Sequence, residues 1–120
     1  MEYIELVTID GLSTFRKRNI NYETSQFLGK YSEAYPVKQL YFREFIAQQI
    51  FDWHCAPREQ FIIYLAGEVK ITTSSGEQRI FVAGDILLAR DLRGEGHVSE
   101  TLTPGRAVIA VLDYSPAQDG

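Results

Sequence analysis

The stretch that decides the fold is His54-Cys55-Ala56-Pro57-Arg58-Glu59-Gln60-Phe61-Ile62-Ile63-Tyr64-Leu65, closed by Gly67 and echoed far downstream by His97. Its second half is a continuous apolar run of strand length, as expected where both faces of a β-strand are covered. Its first half holds one of the chain's two histidines. Those two imidazoles can meet only if two strands fold against each other, and such convergence is how a small β-protein builds a ligand pocket.

Working outward, the same strand grammar recurs. Phe42, Glu44 and Ile46 alternate with Tyr41, Arg43 and Phe45, and Val69, Ile71 and Thr73 alternate with Lys70 and Thr72. Period-two patterns rich in β-branched and aromatic residues predict half-buried strands. Ala107 to Leu112 is a second continuous apolar run. Turns at Ala66-Gly67-Glu68, Ser74-Ser75-Gly76-Glu77 and Ala83-Gly84-Asp85 separate these strands at short intervals, the spacing of a sandwich or barrel. No convincing helix of three turns is found. Upstream, Glu2 to Ile9 and Phe15 to Tyr22 read as strands, and Ser25 to Tyr35 as a loop that wraps the body or packs on a partner. The polar interleaving of these segments marks edge material that must be covered or charged. The tail from Ser115 to Gly120 is expected to fray.

With 120 residues, the chain matches one domain with a single core. Twelve basic against sixteen acidic side chains leave a net charge of −4, which gives no general attraction to phosphate backbones. Arg16-Lys17-Arg18 is the one basic cluster and reads as a solvated strand face or turn, so nucleic acid is not expected as a partner. A lone cysteine precludes an internal disulfide. No basic and apolar leader opens the sequence and no run approaches bilayer length, so the expectation is a cytoplasmic protein with no membrane contact.

The order of these features carries a resemblance. His54 to Gln60, then Gly67, a hairpin, Gly84-Asp85-Ile86 and His97 resemble the two motifs of the small single-domain cupins, from about Val37 to Leu112. Asp52-Trp53-His54-x-Ala56-Pro57-x-x-Gln60 with Gly94-x-Gly96-His97 is similar to a bacterial group of cupins of unassigned function. The resemblance implies an all-β jelly-roll barrel over 37–114, with 1–36 packing on the barrel or on a dimer partner and 115–120 as a flexible tail. It implies a barrel mouth where His54, Gln60 and His97 hold one divalent metal such as Fe, Mn, Ni or Zn. Ala56 falls where the pattern places a second histidine, leaving two imidazoles and a neutral oxygen, a poor set beside the usual three or four donors.

Other candidates are read beside these. Tyr64 is a core residue or a ligand contact able to move a proton, and Trp53, Tyr41 and Phe61 are further candidates for pocket walls. A one-residue change of register would reverse every such assignment. Cys55 follows His54 on the strand and is expected to point away from it. The loop Arg90-Asp91-Leu92-Arg93-Gly94-Glu95-Gly96 is either a solvated connection or a lid whose Arg90 or Arg93 grips a carboxylate. Three functions follow in order: binding of a small polar metabolite with an incomplete metal site; metal-dependent isomerase, lyase or oxygenase chemistry on a sugar-derived or keto acid; and a non-catalytic interaction module. A homodimer is expected in each case.

Overall fold

The computed structural model describes residues 1–113; the expected tail lies outside the described residues. Twelve strands account for the fold: β1 Glu2–Ile9, β2 Leu12–Asn19, β3 Tyr22–Gln26, β4 Gly29–Ser32, β5 Val37–Phe45, β6 Gln49–His54, β7 Gln60–Ala66, β8 Val69–Thr73, β9 Gln78–Phe81, β10 Ile86–Ala89, β11 His97–Thr101 and β12 Gly105–Leu112. Among the described residues there is no helix, hence none long and apolar enough to cross a membrane.

A six-stranded sheet runs in the order β2-β1-β10-β7-β12-β5, and a four-stranded sheet in the order β6-β11-β8-β9. Their inner faces meet. Ile4, Leu6, Phe45, Tyr64, Leu87 and Ala107 from the larger sheet pack with Val69, Ile71 and Phe81 from the smaller. The strict alternation in β8, with Val69, Ile71 and Thr73 buried, is what period two demands of a strand with one face on the core. Each fully buried aliphatic side chain contributes about 1.5–3 kcal/mol.

The all-β expectation therefore holds. Pairing does not close the sheets into a barrel, however: among the described residues β2 and β5 remain edges of one sheet and β6 and β9 edges of the other. The N-terminal strands are integral to the body, since β1 pairs in parallel with β10 through Ile4↔Leu87 and Leu6↔Ala89. The segment expected as a loop, Ser25 to Tyr35, instead contains most of a separate antiparallel hairpin, β3-β4. Gly29 ends the turn, and Thr24↔Tyr31, Ser25↔Lys30 and Gln26↔Gly29 form the short ladder.

The basic cluster has an internal use. Arg16 and Arg18 converge on the buried Glu5 carboxylate at 2.9 and 3.3 Å, and Arg90 meets its other oxygen at 2.7 Å. Lys17, on the opposite face of β2, reaches Glu2 instead. Burial raises the Glu5 pKa, but the hydrogen bonds from Arg90 and Arg16 together outweigh it and hold the carboxyl below its ordinary value.

Candidate functional site

The site is built where β6 and β11 lie side by side. His54 is the register partner of His97, and the two rings stand 4.3 Å apart, centroid to centroid, with their planes inclined by 57°. One glycine makes this approach feasible, and a second seats the preceding loop on the β1-β2 turn. A Cβ on Gly96 would lie 2.2 Å from the His54 carbonyl oxygen, and one on Gly94 would lie 2.3 Å from the Gly11 carbonyl oxygen. Both residues also have positive φ, so the Gly94-x-Gly96-His97 pattern serves backbone packing.

A β-bulge then sets which side chains join the histidines. Phe51 pairs with Ser99 while His54 pairs with His97, so β6 carries one residue more than β11 over this interval. Simple alternation would put Phe51 and His54 on opposite faces; the extra residue turns both inward, where their rings lie 3.7 Å apart.

The two imidazoles are oriented by the same device. His54 Nδ1–H donates to the Asp52 carbonyl at 2.7 Å, and His97 Nδ1–H donates to the Asp91 carboxylate at 2.5 Å. Each ring thereby keeps its Nε2 for the cavity. Asp91 is fully buried, accepts a second bond from Ser13 Oγ at 2.6 Å, and receives the Ala56 amide on its backbone carbonyl at 3.1 Å. Burial lowers the His54 pKa and the nearby His97 adds to this, outweighing the opposing pull of the Asp52 carbonyl and the Asp91 charge. His54 is thus biased toward the neutral, acceptor form.

The cavity in front of these rings has a volume of about 420 Å³. Its walls are mostly apolar, including Phe51, Ile62, Val69, Leu87 and Ile109, and its polar groups include Arg43, His54, Gln60, Tyr64, His97 and Ser99. This is the usual make-up of a small-molecule site, an apolar hollow with a few convergent polar atoms. Tyr64 is buried and stacked on Phe81. Burial raises its phenol pKa well above the ordinary tyrosine value, so at neutral pH the hydroxyl stays protonated and can donate.

Of the residues singled out from sequence, His54, Gln60, Tyr64 and His97 line this one cavity, and Cys55, expected to point away from His54, lies on its wall as well. Arg90 does not. Its side chain is buried against Glu5 at 2.7 Å and Glu59 at 3.9 Å, and its backbone amide donates to the Leu6 carbonyl, so it is a structural ion-pair residue with no role in a lid. The loop, read as either a solvated connection or a lid, is tied down: Glu95 N–H bonds to the Gly11 carbonyl and Thr8 Oγ1 to the Arg93 carbonyl. Glu59 is buried too.

Three expected wall aromatics also lie elsewhere. Phe61 faces the outer side of the large sheet, edge-on to Tyr3 and Tyr35; Tyr41 lies under the Arg58 guanidinium; Trp53 sits exposed beside Ser74 and Glu95. Phe51 takes the position they were assigned, because the bulge reverses the parity of β6. Cys55 donates from Sγ to the Gly94 carbonyl at 3.3 Å, and burial raises its pKa, which disfavours a thiolate ligand.

Sequence reading missed Arg43, Phe51 and Asp91. Arg43 left a signal: it shares a strand face with the core residue Phe45 two positions on, and an arginine on a core-facing strand position calls for a cavity. Asp91 left only a charge near a histidine.

The donor set can be tested against a metal. His54, His97 and the Gln60 carboxamide supply two nitrogens and one neutral oxygen, Ala56 presents a methyl group, and the Asp91 carboxylate is already engaged with His97 and Ser13. Among the described residues no group of three His, Cys, Asp or Glu side chains is placed to hold a metal ion. The site does not fit a resident Fe, Mn, Ni or Zn ion, which takes at least three such donors.

No protein-family model matches this chain, and no curated protein matches it. Among solved structures it is similar to the conserved SPY1581 protein of unknown function from Streptococcus pyogenes, with a TM-score of 0.49 and 15% identity over 65% of this chain and 77% of that one. It is also similar to protein NMB1881 from Neisseria meningitidis, with a TM-score of 0.49 and 9% identity over 92% of this chain and 82% of that one.

Proposed function

We propose that this chain is a small-molecule binding protein of the cupin jelly-roll type that holds a compact organic acid between its two sheets, without a resident metal. The observation that carries this is the meeting of Arg43 with two imidazoles whose Nδ1 atoms are already committed, all in a mostly apolar hollow. Arg43 supplies the cation for a carboxylate, His54 and His97 present Nε2, and Gln60 and Tyr64 add polar contacts. The apolar walls take the carbon skeleton. The jelly-roll assignment is supported by the order of the motif residues and by two facing sheets. The free Cys55 is in keeping with a reducing, cytoplasmic setting.

A thermal-shift panel of small keto, hydroxy and sugar acids tests the proposal, because a ligand at a hundred times its dissociation constant adds about 2.7 kcal/mol. Arg43→Gln is expected to weaken the best acid by roughly 10- to 100-fold, the worth of one charge-assisted hydrogen-bonded contact. No stabilising acid, or equal binding by Arg43→Gln, would refute it. Stabilisation of the wild type by Fe, Mn, Ni or Zn that His54→Ala removes would refute the metal-free form.

The Asp91–His97 pair favours a second function, proton transfer on the bound acid. A buried carboxylate that holds Nδ1–H leaves Nε2 as a base facing the cavity. Loss of the α-proton signal of a bound acid in deuterated water, abolished by His97→Gln with binding retained, is the expected sign; no exchange with any bound acid refutes catalysis of this kind.

A further inference from the structure

The cavity does not end at its apolar walls. A second hollow of about 640 Å³, whose walls include Gln48, Gln49, Asp52 and Thr101, shares Arg43, Phe51 and Ser99 with the first. Topology leaves it open: β5 and β6 follow each other in the chain but stand as edges of different sheets, so among the described residues no ladder closes the sandwich between them. Register fixes which side chains face inward. Val69, Ile71 and Thr73 of β8 are buried, and their partners Thr101, Ser99 and His97 share that face on β11. Gln49 and Phe51 are in turn the β6 partners of Thr101 and Ser99. The inner face of the small sheet therefore changes character along β11, from imidazole at His97 to hydroxyl at Ser99 and carboxamide beside Thr101.

Arg43 stands at the junction of the two hollows. Its guanidinium lies 5.1 Å from the centre of the Phe45 ring, and among the described residues no carboxylate pairs with it. The carboxylate on the outer wall, Asp52, accepts from the Trp53 amide through Oδ1 at 2.9 Å. Gln48 supplies a separate observation. Its φ is +61°, left-handed backbone that glycine adopts freely and a longer side chain does not. Strain of this kind gathers where function needs a side chain in one place, and here it puts a carboxamide on the outer wall.

We infer that the bound acid is an N-acylated α-amino acid, with its carboxylate on Arg43, its side chain in the inner cavity, and its amide and acyl arm in the outer hollow beside Gln48, Gln49 and Ser99. This rests on the reading of Arg43 as the carboxylate anchor. In such a molecule three arms leave one carbon, and here two hollows of different character meet at one arginine. Carboxamide and hydroxyl walls both donate to and accept from an amide. Size decides between an amide and a free ammonium: a group the size of one water, about 30 Å³, fills little of a hollow this large, whereas an acyl arm occupies it. At the far end of the inner cavity the His54 Nε2 accepts, which suits a side chain with a donor at its tip.

Isothermal titration calorimetry with N-acetyltyrosine, tyrosine and desaminotyrosine tests this, because the three share a carboxylate and a phenol and differ only at the α-carbon. N-acetyltyrosine is expected to bind about 3- to 10-fold more tightly than desaminotyrosine, the worth of one neutral hydrogen bond. Gln48→Gly should narrow that preference by weakening N-acetyltyrosine, with a melting temperature no lower than wild type because the left-handed backbone is relieved. Arg43→Gln should weaken both acids. Equal binding of N-acetyltyrosine and desaminotyrosine overturns the inference and leaves acid binding standing. Tightest binding by free tyrosine does the same, since it would put an ammonium beside Asp52. A Gln48→Gly variant that keeps the full preference also overturns it. If keto, hydroxy or sugar acids bind and N-acetyltyrosine does not, the acylated ligand alone is refuted; if no acid binds, both readings fall.

Discussion

Replacing Asp91 by alanine tests whether the cavity histidines are held by the buried network described above. The carboxylate accepts His97 Nδ1–H at 2.5 Å and Ser13 Oγ–H at 2.6 Å from a fully buried position. Asp91→Ala strands two buried donors, each costing about 1–3 kcal/mol, so the loss should be about 2–6 kcal/mol. With an m-value of about 1–3 kcal/mol/M for urea, the unfolding midpoint should fall by about 1–3 M. Ser13→Ala removes one donor and leaves the His97 bond, so its cost should be the smaller, about 1 kcal/mol. A double-mutant cycle with His97→Ala isolates the imidazole share, expected at about 1.5–3 kcal/mol for a charge-assisted bond. The 15N shifts of His97 should show a protonated Nδ1 in wild type, and a mixture of tautomers in Asp91→Ala. A coupling energy below about 0.5 kcal/mol would refute the claim that Asp91 fixes this ring, since neighbours without shared partners add within that margin.

Gly96→Ala should destabilise by at least about 2–3 kcal/mol through positive φ strain and a Cβ driven against the His54 carbonyl; a neutral result in urea unfolding would contradict the packing of β11 on β6. Stability should fall with acid as pH drops below 6.5, because the unfolded His54 takes up a proton at its ordinary pKa while the folded one resists it. His54→Gln should flatten that slope across pH 5–7. Glu5 contributes in the same direction at lower pH: its stabilisation is present above 4.5 and lost as pH falls through its depressed folded value. Glu5→Gln at neutral pH should cost about 3–5 kcal/mol in urea unfolding, as expected when one partner of a buried ion pair is removed and Arg90 is left behind; a loss below about 1 kcal/mol would show that Arg90 finds other acceptors.

The sequence by itself determined the all-β class, the positions of most strands and the convergence of His54 with His97. Period-two alternation, apolar runs and glycine turns are local signals, each readable within a few residues. It could not determine the parity of β6, because the bulge that brings Phe51 beside His54 exists only in the pairing of β6 with β11. The fate of Arg90 was equally hidden, since Glu5 lies eighty-five positions away and nothing local says whether a charge faces solvent or an ion pair. Arg43 and Asp91 gained their places by the same long-range packing. What the chain encodes locally is which residues form strands and turns; which faces of those strands enclose the cavity, and which arginine enters it, is fixed only when the two sheets meet.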